Sequence, residues 1–269
     1  MSVSATAARR ATARRLPMLR MQFYAEFVKL IRVPAFSVTS IVLPSMFFAF
    51  IGLGQAKDPL FPGAHVTFGA YFLASMALYG VANVMVLGFG ISLANERGQK
   101  QDLLMKSTPL PAPVFFTAKA LSALVVAFIS IAVLGVFAAV AAGVQLTACE
   151  WSTLALRAML CSIPFIGLGF ALGYLAGPNS APAVTNLIYL PTAFASGLFF
   201  PLRFLPHFLQ QIAPYLPLYR AAQLVWDSVG APTEGGSLSA DWLYLAGYTV
   251  AFFLLALWAY RRDQGKKFN

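Results

Sequence analysis

The side chains able to do chemistry in this 269-residue sequence lie almost wholly outside its apolar runs. Its nine acidic residues, Glu26, Asp58, Glu96, Asp102, Glu150, Asp227, Glu234, Asp241 and Asp263, fall in loops, tails or the ends of apolar runs. A carrier driven by protons or sodium needs ionisable or coordinating groups near the bilayer midplane, so self-powered transport is disfavoured. His65 and His207 sit between apolar runs, and neither a His-Glu-x-x-His nor a Cys-x-x-Cys arrangement occurs. Protease and metal chemistry therefore have no residues to use, and no metal or catalytic site is expected. The glycine-rich loop that cradles nucleotide phosphates is also absent, so ATP would have to be hydrolysed by another protein.

The elements holding these residues follow from composition. Hydrophobic residues make up 59% of the chain and charged residues only 10%, more apolar surface than a soluble core absorbs. Taking about 20 apolar residues per bilayer crossing, six spans are expected: Val33 to Leu53, Val66 to Leu93, Lys119 to Ala142, Ser152 to Ala176, Ala183 to Leu202 and Trp242 to Tyr260. The second exceeds the need and is expected to tilt or to continue beyond the membrane. Pro44, Pro164 and Pro191 lie inside spans and are expected to kink them. Gly169, Gly173 and Gly177, spaced by four, predict close approach of a neighbouring helix to the fourth span. Cys149 and Cys161 are too few for a disulfide framework and read as packing residues.

The net charge of +10 is topological, because the basic residues cluster at the ends of apolar runs. Arg9, Arg10, Arg14, Arg15, Arg20, Lys29 and Arg32 precede the first span; Arg97, Lys100, Lys106 and Lys119 flank the loop after the second; Arg261, Arg262, Lys266 and Lys267 follow the last. Basic residues beside membrane helices stay in the cytoplasm, so both termini are expected there, in a multi-pass protein of the plasma (inner) membrane. Two segments do not span. Pro17 to Arg32 reads as an interfacial amphipathic helix, with Leu19, Phe23, Tyr24, Phe27, Val28, Leu30 and Ile31 on one face and Gln22, Glu26, Lys29 and Arg32 opposite. Arg20 breaks this pattern and is expected to snorkel. Arg203 to Gly230 is too apolar for a solvent loop, and Pro201, Pro206, Pro214 and Pro217 cut it into short pieces expected to dip into the outer leaflet.

The one sizeable cytoplasmic loop, Asn95 to Pro113, starts with charge, presents Leu103, Leu104 and Met105 together, and breaks at prolines. Such an apolar triplet suggests a docking surface. Glu96-Arg97, the Thr108-Pro109-Leu110 turn and Ala118-Lys119-Ala120 resemble the membrane subunits of the ABC-2 type transporter family, as does a second block through Ala195 to Leu202, Leu205 to Gln210 and Pro214 to Leu218. The likeness covers nearly the whole chain.

That resemblance implies an all-α integral membrane fold: six transmembrane helices, an N-terminal interfacial helix (residues 1–32 with the basic tail) and a re-entrant outer segment (203–230) before the last span, with a coupling loop at 94–113. It implies a permease subunit, as homodimer or with a related permease, served by two copies of a cytoplasmic ATPase that binds ATP and magnesium. Export is the commoner direction in the family. Carried over residue by residue, the ATPase-coupling segment is Asn95, Glu96, Arg97, Asp102, Leu103, Leu104, Met105 and Lys106, and the connecting helix contributes Phe23, Glu26, Phe27 and Lys29. Asn83, Phe194, Ser196, Phe199 and Phe200 are the expected substrate path, and Pro206, Pro214 and Pro217 the outer gate. Phenylalanines here and at Phe47, Phe48 and Phe50 suit a hydrophobic or amphipathic substrate such as a drug, antibiotic, lipid or glycan, although aromatics in membrane helices also serve as packing and interface anchors. Asn186 is a further polar position, with interhelical hydrogen bonding as the alternative role. Two rival readings stay open: a secondary transporter or channel, and a membrane anchor or assembly factor for a cytoplasmic enzyme.

Overall fold

The structure, a computed structural model, describes residues 2–32, 38–99, 111–233 and 236–266. Among these there is no β-strand, only an isolated bridge between Pro59 and Thr67. Helix α1 is Ser2–Arg32. Helical turns over residues 38–55 form α2, followed by α3 (Phe68–Gly98), α4 (Ala112–Ala141), α5 (Ala148–Leu175), α6 (Ala181–Ala195), the single short turn α7 (His207–Ile212), α8 (Pro217–Asp227) and α9 (Leu238–Lys266).

Among the described residues, four helices are long and apolar enough to cross a bilayer: Phe68–Gly98, Pro113–Ala141, Ala148–Leu175 and Leu238–Asp263. Of the other two expected spans, the fifth is shorter than anticipated. Helix α6 has 15 residues, about 22 Å at 1.5 Å per residue against a hydrocarbon core of about 30 Å. It ends at Ala195 rather than Leu202 because Gly197 takes a positive φ of 79° and turns the chain.

The first expected span is described from Val38 and is not a regular α-helix. Wide π-type turns at Val38–Val42 and Phe48–Gly52 flank the α-helical turn Leu43–Phe47 that carries Pro44. A proline deprives the carbonyl four residues earlier of its donor. That carbonyl is Ser40 O, and the Ser130 hydroxyl of α4 donates to it at 2.8 Å. A neighbouring helix thus supplies what Pro44 removes, as a dry interior requires. In α5 the α-helical ladder breaks at Ser162, just before Pro164, whereas α6 continues through Pro191.

Helix α3 is the axis. Its 18-residue apolar window is 100% buried against 17% for that of α9, so α2, α4, α5, α6 and α8 surround the first while the second lines the periphery. Two of the three spaced glycines explain the close fit of α5. A Cβ on Gly169 would lie 2.3 Å from Met85 O, and one on Gly173 would lie 2.9 Å from Leu93 Cβ. Gly177 lies past the end of α5 and meets only Ser180 Oγ, at 3.5 Å. The expected small-residue seam is real over its first two members.

Replacing Gly169 by Ala is expected to force α3 and α5 apart and cost about 1–3 kcal/mol, the usual range for overpacking. Thermal unfolding in detergent should register it as a lowered midpoint. Gly247→Ala, where nothing lies within 4 Å of the added carbon, should leave the midpoint unchanged or raise it slightly.

Candidate functional site

At one end of the bundle α1, α3, α4, α5 and α9 converge on a buried charged network. Lys119 stands in the eighth position of α4, past its apolar first two turns, and is 3% exposed. An amine buried there must spend all three of its protons on partners. Lys119 Nζ donates to Glu26 Oε2 of α1 at 2.8 Å, to Glu96 Oε1 of α3 at 2.7 Å and to Ser92 Oγ at 3.3 Å. Glu96 also pairs with Lys29 and accepts from Ser92 Oγ at 3.1 Å, while Gln22 Nε2 donates to Glu26 Oε1 at 3.1 Å. Two carboxylates meet two ammonium groups, so the buried cluster is neutral as a whole. Ser122 of α4 adds a bond to the backbone of α1, donating to Phe23 O at 3.0 Å.

One residue further along, Arg97 points to the other side of α3. Its Nη1 donates to the carbonyls of Gly173 at 2.7 Å, Tyr174 at 2.9 Å and Ala176 at 3.3 Å, and its Nη2 pairs with Asp263 of α9. Those carbonyls end α5 and lack helical donors, so the guanidinium caps one helix while holding a second. Adjacent residues Glu96 and Arg97 therefore bind α1 and α4 on one side and α5 and α9 on the other.

This arrangement adds Glu26 to the inward side of α1, beside members of its expected apolar face. Glu26 and Leu30 are buried, Phe23 and Phe27 half-buried, and Tyr24 and Ile31 exposed. The pairing with Lys119 draws Glu26 inward, while Gln22 and Lys29 are half-buried and Arg32 stays exposed. The helix also begins well before Pro17, which lies inside it. Asn95 is exposed in the last turn of α3, so the expected coupling segment starts inside the long helix. Asp102, Leu103, Leu104, Met105 and Lys106 lie outside the described residues. Glu96 was visible as part of a charged pair, but its two lysine partners come from residues 67 and 23 positions away. Asp263 is 166 positions from Arg97, and no local pattern in the sequence marks it.

The residues expected along a substrate path are only partly assembled. Phe199 is buried and packs with Phe47 at 5.0 Å, Tyr79 at 5.2 Å and the half-exposed Phe194 at 4.2 Å, joining α2, α3 and α6 in one aromatic array. Phe48 points away into the core against Phe72 and Phe137, and Phe50 and Phe200 face outward. Asn83 is buried in α3, and Ser196 is buried and donates to Thr192 O at 2.7 Å. Asn186 is exposed and donates to Pro182 O of its own helix at 2.9 Å, not to another helix.

At the opposite end the short pieces of residues 202–227 are anchored through α8. Arg220 donates to Asp241 Oδ1 of α9 at 2.8 Å and to Pro214 O at 2.7 Å and covers the Tyr244 ring at 4.2 Å; Arg157 of α5 pairs with Asp227. Trp226 Nε1 donates to Ser75 Oγ of α3 at 2.8 Å. Pro206 directly precedes α7, Pro217 opens α8, and Pro214 lies in the short 3-10 turn between them. Pro206 is exposed, while Pro214 and Pro217 are half-buried.

Residues 64–258 match the family model described as "ABC-2 family transporter protein". A relative in Bacillus subtilis (strain 168), named "Putative transport permease YvfS", is 26% identical over 249 residues, which is 92% of this chain and 98% of that protein.

Removing the amine by Lys119→Met should leave two buried carboxylates with one half-exposed partner and cost about 3–5 kcal/mol, the range for a buried pair stripped of one member. A variant that also carries Glu26→Gln and Glu96→Gln should recover much of that loss, since no buried charge is then uncompensated. Thermal midpoints of the single and triple variants in the same detergent decide it.

Proposed function

The chain belongs to the ABC-2 transporter family, and from that premise we propose that it is the membrane-spanning permease subunit of an ATP-driven exporter, energised by a separate ATPase. Membership itself implies a transport subunit without an ATPase site of its own. The proposal adds six crossings, with α2 and α6 completing the four long helices as the first and fifth. It also adds cytoplasmic termini in the plasma membrane, a re-entrant 203–230 segment at the outer mouth, and a dimer of permeases with two ATPases.

The observation that carries the reading is the charged knot at the end of α3. Asn95–Gly98 form the last turn of that helix, and the segment expected to dock on the ATPase follows directly. Through Glu96 and Arg97 this turn is tied to four other helices. A push on the docking loop would therefore move α1, α3, α4, α5 and α9 as one body, the rigid-body rotation by which transport domains change access. Charges placed at both ends and none in the middle, among the described acidic residues and histidines, fit a pump whose energy comes from a partner. The aromatic array of Phe47, Tyr79, Phe194 and Phe199 suits a hydrophobic or amphipathic substrate.

Docking is tested by Leu103→Asp together with Leu104→Asp. Each leucine buried in an ATPase groove would contribute about 1.5–3 kcal/mol. The double variant should insert normally yet lose ATPase association or uncouple substrate-stimulated hydrolysis in the reconstituted complex, with Lys100→Ala as the control. Binding and transport equal to the unmodified complex would reduce the loop to a connector. Orientation is tested with Gln99→Cys in a Cys149→Ser, Cys161→Ala background: a membrane-impermeant thiol reagent should spare it in intact cells and label it after lysis, whereas in a separate chain carrying only Cys161→Ala the exposed Cys149 should react from outside.

A further inference from the structure

Beside the Arg97–Asp263 tie, α4, α5 and α9 leave a pocket of about 280 Å³ lined by apolar and aromatic side chains alone, among them Phe116 of α4, Phe170 and Tyr174 of α5, and Phe253, Ala256 and Tyr260 of α9. Its depth is fixed by the contacts around it. Helices α5 and α9 run side by side in one direction, with Gly167 against Phe253 and the Tyr174 ring 5.3 Å from that of Tyr260. Tyr260 lies three residues before Asp263, where the apolar stretch of α9 ends, and Phe116 three residues after Pro113, where that of α4 begins. At 1.5 Å per residue both stand about 5 Å from the end of their stretch, and Phe253 about 15 Å. The pocket therefore runs from the membrane surface at the knot end toward the midplane. Phe253 and Leu257 of its wall are exposed, so it opens on lipid.

The surface end of the pocket carries polar groups without protein partners. Arg261 follows Tyr260 directly, is exposed and makes no hydrogen bond or ion pair among the described residues. At 3.6 residues per turn it flanks the stripe of Phe253, Ala256 and Tyr260, whereas Arg262 falls on the opposite side of α9 and lies over the Trp258 ring at 5.3 Å. The hydroxyls of Tyr174 and Tyr260 also lack a hydrogen-bond partner among the described residues. We propose that this pocket binds one anionic glycerophospholipid, with an acyl chain between α4 and α9, its ester carbonyls accepting from the two tyrosines and its phosphate held by the Arg261 guanidinium. The forked guanidinium matches phosphate geometry in a way an ammonium does not. Arg261, Arg262, Lys266 and Lys267 follow the last apolar stretch, and Asp263 among them is already neutralised by Arg97. Juxtamembrane basic clusters of this kind select anionic lipid. The bound chain fills the gap beside Tyr174, whose ring Arg97 covers at 5.4 Å, and so braces the tie between α3, α5 and α9. The inference rests on α9 crossing the bilayer and not on ATP-driven transport.

The test is native mass spectrometry of the full chain in detergent, offered phosphatidylglycerol and phosphatidylcholine with identical acyl chains in equal amounts. The first adduct should favour phosphatidylglycerol about fivefold, the effect of one basic residue near a membrane surface. Arg261→Gln should lose most of that preference, Arg261→Lys should keep part of it, and Arg262→Gln on the far side of the helix should keep it whole. Ala256→Phe, which fills the pocket, should weaken both lipids together. Leu257→Trp, with the same expected direction, serves if that chain is lost in purification. Chainless glycerol 1-phosphate should not displace the lipid.

Equal binding of the two lipids by the unmodified chain, or an undiminished preference in Arg261→Gln, overturns the site. So does an equal loss in Arg262→Gln, which would make the preference a property of the basic tail as a whole. Lipid binding untouched by filling the pocket would place the lipid elsewhere, and displacement by glycerol phosphate would leave a phosphate site without a chain. Failure of any ATPase to associate with the unmodified chain would sink the transporter reading and leave the lipid result standing.

Discussion

A lysine amine buried among membrane helices is the constraint from which much of this architecture follows. Lys119 cannot remain charged in that setting without anionic partners on the spot, and the two that meet it come from different helices, Glu26 of α1 and Glu96 of α3. Three elements are thereby fixed to one point. The same requirement draws Glu26 inward from the polar side of α1. With Arg97 bound to the end of α5 and to Asp263 of α9, the polar contacts at this end form a continuous tie across five helices.

Away from that end the bundle is held by shape. Gly169 and Gly173 let α5 lie against α3 at backbone distance, an approach that substitutes dispersion contacts for a hydrophobic drive that lipid does not provide. Proline defects are repaired locally, as where Ser130 satisfies the carbonyl orphaned by Pro44. At the opposite end from the knot, the Arg220–Asp241 and Arg157–Asp227 pairs clamp a broken segment whose backbone could not otherwise sit against apolar helices. Helix α3 touches both ends, through Trp226 and Ser75 at one and Glu96 at the other. A single helix of 31 residues thus joins the charged knot to the clamp at the opposite end.

The fold class, the long helices and the broken segment at 203–230 were legible from the sequence, because apolar length and proline position are local properties that the bilayer reads residue by residue. So were the charged pair Glu96-Arg97 and the first two members of the glycine seam. What only the tertiary structure decided was which charges neutralise one another, and therefore that Glu26 of α1 turns inward, since Glu26, Glu96 and Lys119 are separated by at least 23 residues and no periodicity links them. It likewise decided that α6 stops at Ala195, because the positive φ at Gly197 is set by the fold around it, whereas hydropathy runs on without a break to Leu202. Hydropathy measures how much a segment prefers lipid, but the direction a polar side chain turns is settled by the partner that makes its burial tolerable.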